Sequence, residues 1–116
     1  HIVEIFKWID IIINQEELDF STYTKIPPEN TAELMKQLDA NYNKSVYALE
    51  NTTPENLEKE WVLRHGEHII LKLPKSEAIR YITLNHLYHH RGQLSVYLRM
   101  LDVKIPGMYG PSADGM

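Results

Sequence analysis

The feature that most constrains the fold is an apolar stripe at helical spacing in the last third of the chain, which contains two histidines. The predicted helix follows Pro74, with Ser76 as its expected N-terminal cap, and runs to about Asp102. The stripe consists of Ile79, Ile82, Thr83, His86, His90, Gln93, Leu94, Tyr97 and Leu101. An amphipathic helix buries its apolar side, so both histidines are expected on a packed face, where an imidazole needs a partner.

His86 and His90 are four residues apart, so on a helix they lie on one face, one turn above the other. Two imidazoles in this geometry can bind one metal ion, although a pair that is merely hydrogen-bonded or partly exposed has the same spacing. Leu87 follows the first histidine, where the helix of a zinc protease has a glutamate, so that class of enzyme is excluded. The pair is therefore a candidate for two ligands of a metal site.

A metal site of this kind needs a third ligand, and the chain offers several histidines. His1 stands at the head of the first predicted helix and reaches the pair if that helix packs beside the last one. His65 and His68 lie in or beside a polar turn, where we expect them to be exposed. His89 is rotated by about 100° from His90 and is expected at a helix–helix or subunit contact. Spacing alone does not choose between His1, His65 and His68.

Composition narrows the possible partners. The chain has 116 residues, which suits a single domain over residues 1–116, and it has no cysteine, so His, Asp, Glu or water must hold any metal. Its net charge is -4 and no stretch concentrates lysine and arginine, which argues against nucleic acid as a partner. Lys7 and Asp10 interrupt the first apolar stretch, so neither a membrane span nor a signal peptide is predicted, and we expect a cytoplasmic protein.

The remaining elements follow from periodicity and capping. A first helix is predicted from His1 to about Gln15, followed by a loop over 16–29 that contains Pro27 and Pro28. A second helix starts near Asn30, and its expected buried stripe is Leu34, Leu38, Tyr42, Val46 and Leu49. A short helical turn at 53–54, a β-hairpin with strands 61–63 and 68–73 turning at Gly66, and an irregular tail from Lys104 complete the prediction.

Several of these segments together resemble one protein family. The residues 86–99, HLYHHRGQLSVYLR, followed by YGPSAD at 109–114, are similar to the DinB family of bacterial metal-binding four-helix proteins. The opening HIVEI is similar to the start of that family's second helix. The resemblance implies an all-α, DinB-like four-helix bundle with a small β-hairpin before the last long helix. The family's first helix, which would precede His1, has no counterpart in this sequence. By position, His1, His86 and His90 match the three metal ligands of the family.

The resemblance also implies a chemistry. Three neutral imidazoles leave part of the coordination sphere of a divalent zinc or nickel ion free for a reactant. Family members resemble thiol-dependent transferases, so the leading hypothesis is a metal-dependent transferase or hydrolase that activates a small-molecule thiol, or water, against an electrophile. The alternatives are a non-catalytic, stress-related metal-binding scaffold and a helical interaction domain without metal. Glu4 is the one carboxylate we nominate near His1, and a homodimer is expected.

Overall fold

The computed structural model describes residues 1–115. It consists mainly of three long helical stretches and a small sheet. The elements in chain order are α1 (Ile2–Asn14), β1 (Glu17–Asp19), α2 (Thr31–Asn51), α3 (Pro54–Glu58), β2 (Glu60–His65), β3 (His68–Pro74), α4 (Lys75–Ala78), a π-helical segment (Ile79–Leu84) and α5 (Asn85–Met100). The predicted helices and the β-hairpin are confirmed. Residues 1–115 form a mainly helical fold with a small sheet, and a strict four-helix bundle is not confirmed.

Helix α1 lies at the centre of the hydrophobic core. Its isoleucine stripe is buried, and Ile5 and Ile12 are completely inaccessible to solvent. The residues that cover this stripe come from the sheet, α2, α4 and the π-helical segment: Leu18, Ala48, Trp61, Leu63, Ala78, Ile79 and Ile82. Burial of this apolar surface fixes α1, and with it the position of His1 at its N-terminal end.

Helix α2 packs on α1 through small and polar residues, so the predicted buried stripe of α2 is only half-buried at Leu34, Leu38 and Val46 and is wrong at Tyr42 and Leu49. Its buried residues are Ser45 and Ala48, whereas Tyr42 and Leu49 are exposed. The Asn41 side chain donates a hydrogen bond to the Val3 carbonyl oxygen at 3.0 Å, and the Ser45 hydroxyl donates one to the Phe6 carbonyl oxygen. Small side chains on this face let the two helix backbones approach closely. The larger apolar residues of α2 therefore lie beside the contact rather than in it.

The sheet has three strands in the order β1-β2-β3. β2 and β3 form the predicted antiparallel hairpin, and Gly66 in its turn has a φ of 60°, a conformation that glycine adopts without strain. β1 pairs with β2 in parallel, so the prediction of a continuous loop over 16–29 is wrong at residues 17–19. Hydrogen bonds from the Gly66 amide and from Ser21 to Asp19 lower the pKa of this carboxyl group to about 2.

The last helical stretch differs from the prediction at both ends. Pro74, not Ser76, is the residue at the N-terminal cap position, and Ser76 lies within α4. Helix α5 ends at Met100, and Asp102 then adopts a left-handed conformation with a φ of 59°. Lys75 is 4% exposed, and its ammonium group donates a hydrogen bond to the Ile13 carbonyl oxygen at 2.8 Å. This contact ties the start of the stretch to the C-terminal end of α1.

The apolar stripe of the last helix leaves the core at His90, so its predicted burial is wrong from Gln93 onward. No residue of α5 is buried against the described chain, and Tyr97 and Leu101 are exposed by 61% and 74%. Leu94 and Tyr97 instead line one side of a groove of about 760 Å3, while Leu34, Leu38 and Tyr42 of α2 line the other side. The apolar stripes of both helices therefore face the same groove, which no element within residues 1–115 fills.

Two further expectations concern whole segments. The tail from Lys104 is irregular as predicted, apart from a single bridge between Ser112 and Gly115. Within residues 1–115, none of the helices combines the length and the apolar character that crossing a membrane requires.

Candidate metal centre

The three histidines named from the sequence meet where α1 and α5 begin. His1 is the residue at the N-terminal cap position of α1, and His86 and His90 lie on the first two turns of α5. The π-helical segment directly before α5 packs Ile79 and Ile82 into the core beside α1. Because both helices are anchored next to this junction, side chains that are 85 positions apart in sequence come into contact.

The ring nitrogens converge at distances that suit one metal ion. The Nε2 atom of His86 lies 3.3 Å from Nε2 of His1 and 2.9 Å from Nε2 of His90. Zinc binds imidazole nitrogen at about 2.0–2.1 Å, so two ligands of one ion at tetrahedral or octahedral angles are about 2.9–3.4 Å apart. One potential ligand atom from each of the three residues lies within 4.8 Å of the other two. The cluster could therefore hold a metal ion.

Each ring also has an oxygen atom next to it that can accept a hydrogen bond from the ring. Nδ1 of His1 lies 3.5 Å from Oε2 of Glu4, and Nδ1 of His90 lies 2.9 Å from Oε1 of Gln93. The backbone carbonyl of Ile82 lies near the His86 ring and acts to raise its pKa. Neutral imidazoles held in this way have lone pairs, rather than protons, on the three Nε2 atoms. Three lone pairs that face one another repel unless a cation lies between them, so the donor set fits a metal.

The electrostatic environment keeps the central ring neutral. Partial burial, followed by the proximity of His90 and His89, lowers the pKa of His86, although the Ile82 carbonyl and Glu4 act in the opposite direction. A lowered pKa means that this imidazole resists protonation near neutral pH, and metal binding needs the neutral form.

Trp8 forms an aromatic wall on one side of the cluster. Its ring centroid is 5.5 Å from that of His86 and 5.9 Å from that of His1. The indole N–H of Trp8 donates a hydrogen bond to the Tyr23 hydroxyl oxygen at 3.3 Å, which fixes the plane of the ring. An apolar wall here limits the access of water to one side of the centre.

The other histidines lie outside the cluster. His65 and His68 are exposed and pair with each other at the end of the hairpin, which confirms the expected exposure. His89 is also exposed, and its ring stacks edge-on to His90 with centroids 4.8 Å apart, but it is not part of the triad. Among residues 1–115, the structure thus brings His1 rather than His65 or His68 to the pair.

Sequence reasoning missed two residues that shape the site. Trp8 was not named, and Gln93 was named only as a member of the apolar stripe. Gln93 follows His90 by three residues, a spacing at which helical side chains meet, so this signal was present in the sequence. Glu4, which was nominated, lies beside His1 and pairs with the Lys25 ammonium group at 3.4 Å.

Comparisons with known proteins identify the family of this chain. The chain is 33% identical over 43 residues to an uncharacterized protein, YrdA of Bacillus subtilis (strain 168). This match covers 37% of the chain and 25% of YrdA, so the chain spans only about a quarter of that relative. No solved structure matches the chain. A family model described as the DinB family matches residues 1–116. Because that model covers every residue of the sequence, the chain belongs to the DinB family.

Proposed function

We propose that this DinB-family protein is a metal-dependent enzyme that activates a small-molecule thiol, or water, for attack on an electrophile. The observation that carries the proposal is the convergence of three Nε2 atoms within ligand distance, with no fourth protein ligand in the cluster among residues 1–115. A three-histidine centre with free positions is the arrangement of catalytic metal sites rather than structural ones. Zinc and nickel both suit imidazole ligands.

A divalent ion bound by these residues would supply a positive charge that lowers the pKa of a bound thiol or water and favours the nucleophilic form. The protein's own contribution is to hold the ligands. Glu4 lies beside Nδ1 of His1 and Gln93 beside Nδ1 of His90, and these oxygen atoms favour the ring orientations in which Nε2 faces the centre. Trp8 shields one side from water, and the half-exposed His1 leaves another side open to a reactant.

Metal content is the direct test of the site. Protein purified without a nickel column is expected to contain one divalent ion per chain, and His90→Ala is expected to lose it. His89→Ala is the matched control, because it removes a neighbouring exposed imidazole that is not in the triad. Equal metal content in wild-type and His90→Ala protein would show that the three-histidine site is wrong.

Turnover separates catalysis from binding. We expect the metal-loaded protein to accelerate the reaction of a low-molecular-weight thiol such as bacillithiol with an electrophile, and a chelator to abolish the acceleration. The competing candidate is a non-catalytic, stress-related scaffold in which the metal has a structural role. The observation that favours it is that α5 has no buried residue, because a metal bound by His1, His86 and His90 would tie this helix to α1. Strong stabilisation by metal without turnover over a broad panel of electrophiles would favour the scaffold.

The exposed apolar residues of α5 also motivate a proposal about assembly. Tyr88, Val96, Tyr97 and Met100 are all at least 49% exposed, and such rows often pair in homodimers. We expect a dimer by sedimentation at micromolar protein concentration, and a monomer under those conditions would refute it.

A further inference from the structure

We propose that the cleft beside His1 binds the carboxylate of a small acidic reactant, and that Lys7 recognises this carboxylate. The inference rests on the proposed function, because it names a chemical class for the reactant of the same centre. It adds a specificity residue that is neither a metal ligand nor in contact with one.

The cleft lies between α1, the start of α2 and the segment 23–28, and has a volume of about 400 Å3. Its size falls within the range of small-molecule sites in proteins. Two contacts hold the segment in place: the Gln37 side-chain amide donates a hydrogen bond to the Ile26 carbonyl oxygen at 3.3 Å, and the Trp8 indole donates one to Tyr23. His1 forms part of the cleft wall, so a molecule in the cleft lies next to a ligand of the candidate metal centre.

The charges of the cleft favour an anion. Lys7, Lys25 and Glu4 line it, which gives two positive charges and one negative charge in a chain whose net charge is -4. The Lys25 ammonium group is already paired with Glu4 at 3.4 Å. The Lys7 ammonium group lies 5.7 Å from the centre of the Tyr23 ring and forms no ion pair with a carboxylate within residues 1–115. Lys7 is thus the cation that remains available to a ligand.

The position of Lys7 sets the orientation of such a ligand. Lys7 follows His1 by six residues, which is about 9 Å along a helix. Glu4 lies between them and is paired with Lys25, so Lys7 is the cation without a carboxylate partner among the described residues, and the Tyr23 ring holds its side chain by a cation–π contact. Val3, Pro27 and Leu34 provide apolar surface for the carbon skeleton. A short acidic molecule therefore has its carboxylate at Lys7 and its other end toward the histidines.

Two thiols that differ only in the far group test this inference. Binding of 3-mercaptopropionate and of 3-mercapto-1-propanol to zinc-loaded protein is measured by calorimetry at low ionic strength. Wild-type protein is expected to bind the acid about fivefold more tightly than the alcohol, as one partly screened ion pair allows. Lys7→Met is expected to remove the preference and Lys7→Arg to keep it. Lys44→Met, which changes an exposed lysine of α2 that does not line the cleft, is expected to leave it unchanged.

The two proposals fail in different ways. The role of Lys7 is overturned if wild-type protein shows no preference for the acid. It is also overturned if the preference persists in Lys7→Met, because the carboxylate then binds the metal itself. If the alcohol binds normally in either case, thiol activation at the metal still stands. If the alcohol does not bind zinc-loaded protein, this result counts against the proposed function. Binding of the acid that depends on Lys7 would in that case still support carboxylate recognition in the cleft.

Discussion

Helices α1 and α5 both contribute histidines to the candidate centre, but they are held in opposite ways. Helix α1 has six buried residues and lies at the centre of the core, whereas α5 has none against the described chain. The difference arises at the π-helical segment, which packs Ile79 and Ile82 into the core just before α5 leaves it. The centre therefore lies at the border between a rigid core and a helix with one free side.

This contrast indicates that a helix can hold metal-binding side chains in place without being buried along its length. The anchoring of α5 needs only its first two turns, where His86 and His90 are half-buried. Beyond them, α5 is held by hydrogen bonds within the helix and by an ion pair between Arg99 and Asp114 of the tail at 3.8 Å. Local opening of a helix costs least where few apolar contacts must be broken, so α5 is expected to open more easily than α1.

The largest expected effect is a difference in unfolding free energy between an alanine variant of α1 and one of α5. Ile12→Ala in α1 empties a completely buried position and is expected to lower the free energy of unfolding by about 2–5 kcal/mol. Leu94→Ala in α5 changes a side chain that is 45% exposed and is expected to cost less than about 1 kcal/mol. Urea unfolding of both variants measures the difference. A cost for Leu94→Ala that equals that of Ile12→Ala would mean that α5 is covered in solution.

Metal binding is expected to reduce the contrast between the helices. At a free zinc concentration of about 100 times Kd, the metal stabilises the folded state by about 2.7 kcal/mol. Amide hydrogen exchange is expected to slow in the first turns of α5 more than in the middle of α1, because the ion ties α5 to the core. His89→Ala should retain this protection and His90→Ala should lose it. Equal protection of both helices would contradict the idea that the metal acts on α5 locally.

A smaller effect is expected from pH in the metal-free protein. The folded state lowers the pKa of His86, so the unfolded chain, with a histidine pKa of about 6.5, binds the proton first. The contribution of His86 to stability is therefore full above about pH 6.5 and decreases as the pH falls below it. Unfolding free energies between about pH 8 and pH 5 should decline less steeply in His86→Leu than in His68→Leu, which removes an exposed histidine of the hairpin. A steeper decline in His86→Leu would mean that folding does not lower the pKa of His86.

The smallest expected effect on stability comes from adding one methyl group to the exposed side of α5. A β-carbon placed on Gly92, in the middle of α5, meets nothing within 4 Å in the described chain. Gly92→Ala is therefore expected to stabilise the protein by about 0.5–1 kcal/mol, measured by thermal unfolding. Destabilisation by this variant would reveal a close neighbour on α5.

Much of the fold was accessible from local signals. Helical periodicity predicted α1, α2 and the last helical stretch, and the Asn30 cap with Glu33 is present as expected, with the Asn30 side chain accepting a hydrogen bond from the Glu33 amide at 2.9 Å. Strand β1 escaped prediction because its three residues have no periodicity of their own and are a strand only through pairing with β2. The buried face of α2 escaped because an apolar stripe predicts burial, whereas contact with α1 favoured small residues at Ser45 and Ala48.

The sequence by itself determined which residues are able to bind a metal: without cysteine, and with two histidines four apart on a helix, the chemistry was restricted to imidazole and oxygen ligands. Spacing left the third histidine open and the family resemblance indicated His1, but only the tertiary structure brings His1 to the pair, Glu4 and Gln93 to the rings, and Lys7 to the cleft beside them. The physical reason is that helical spacing is a local property of the chain. Contacts across 85 positions depend instead on how the whole core packs.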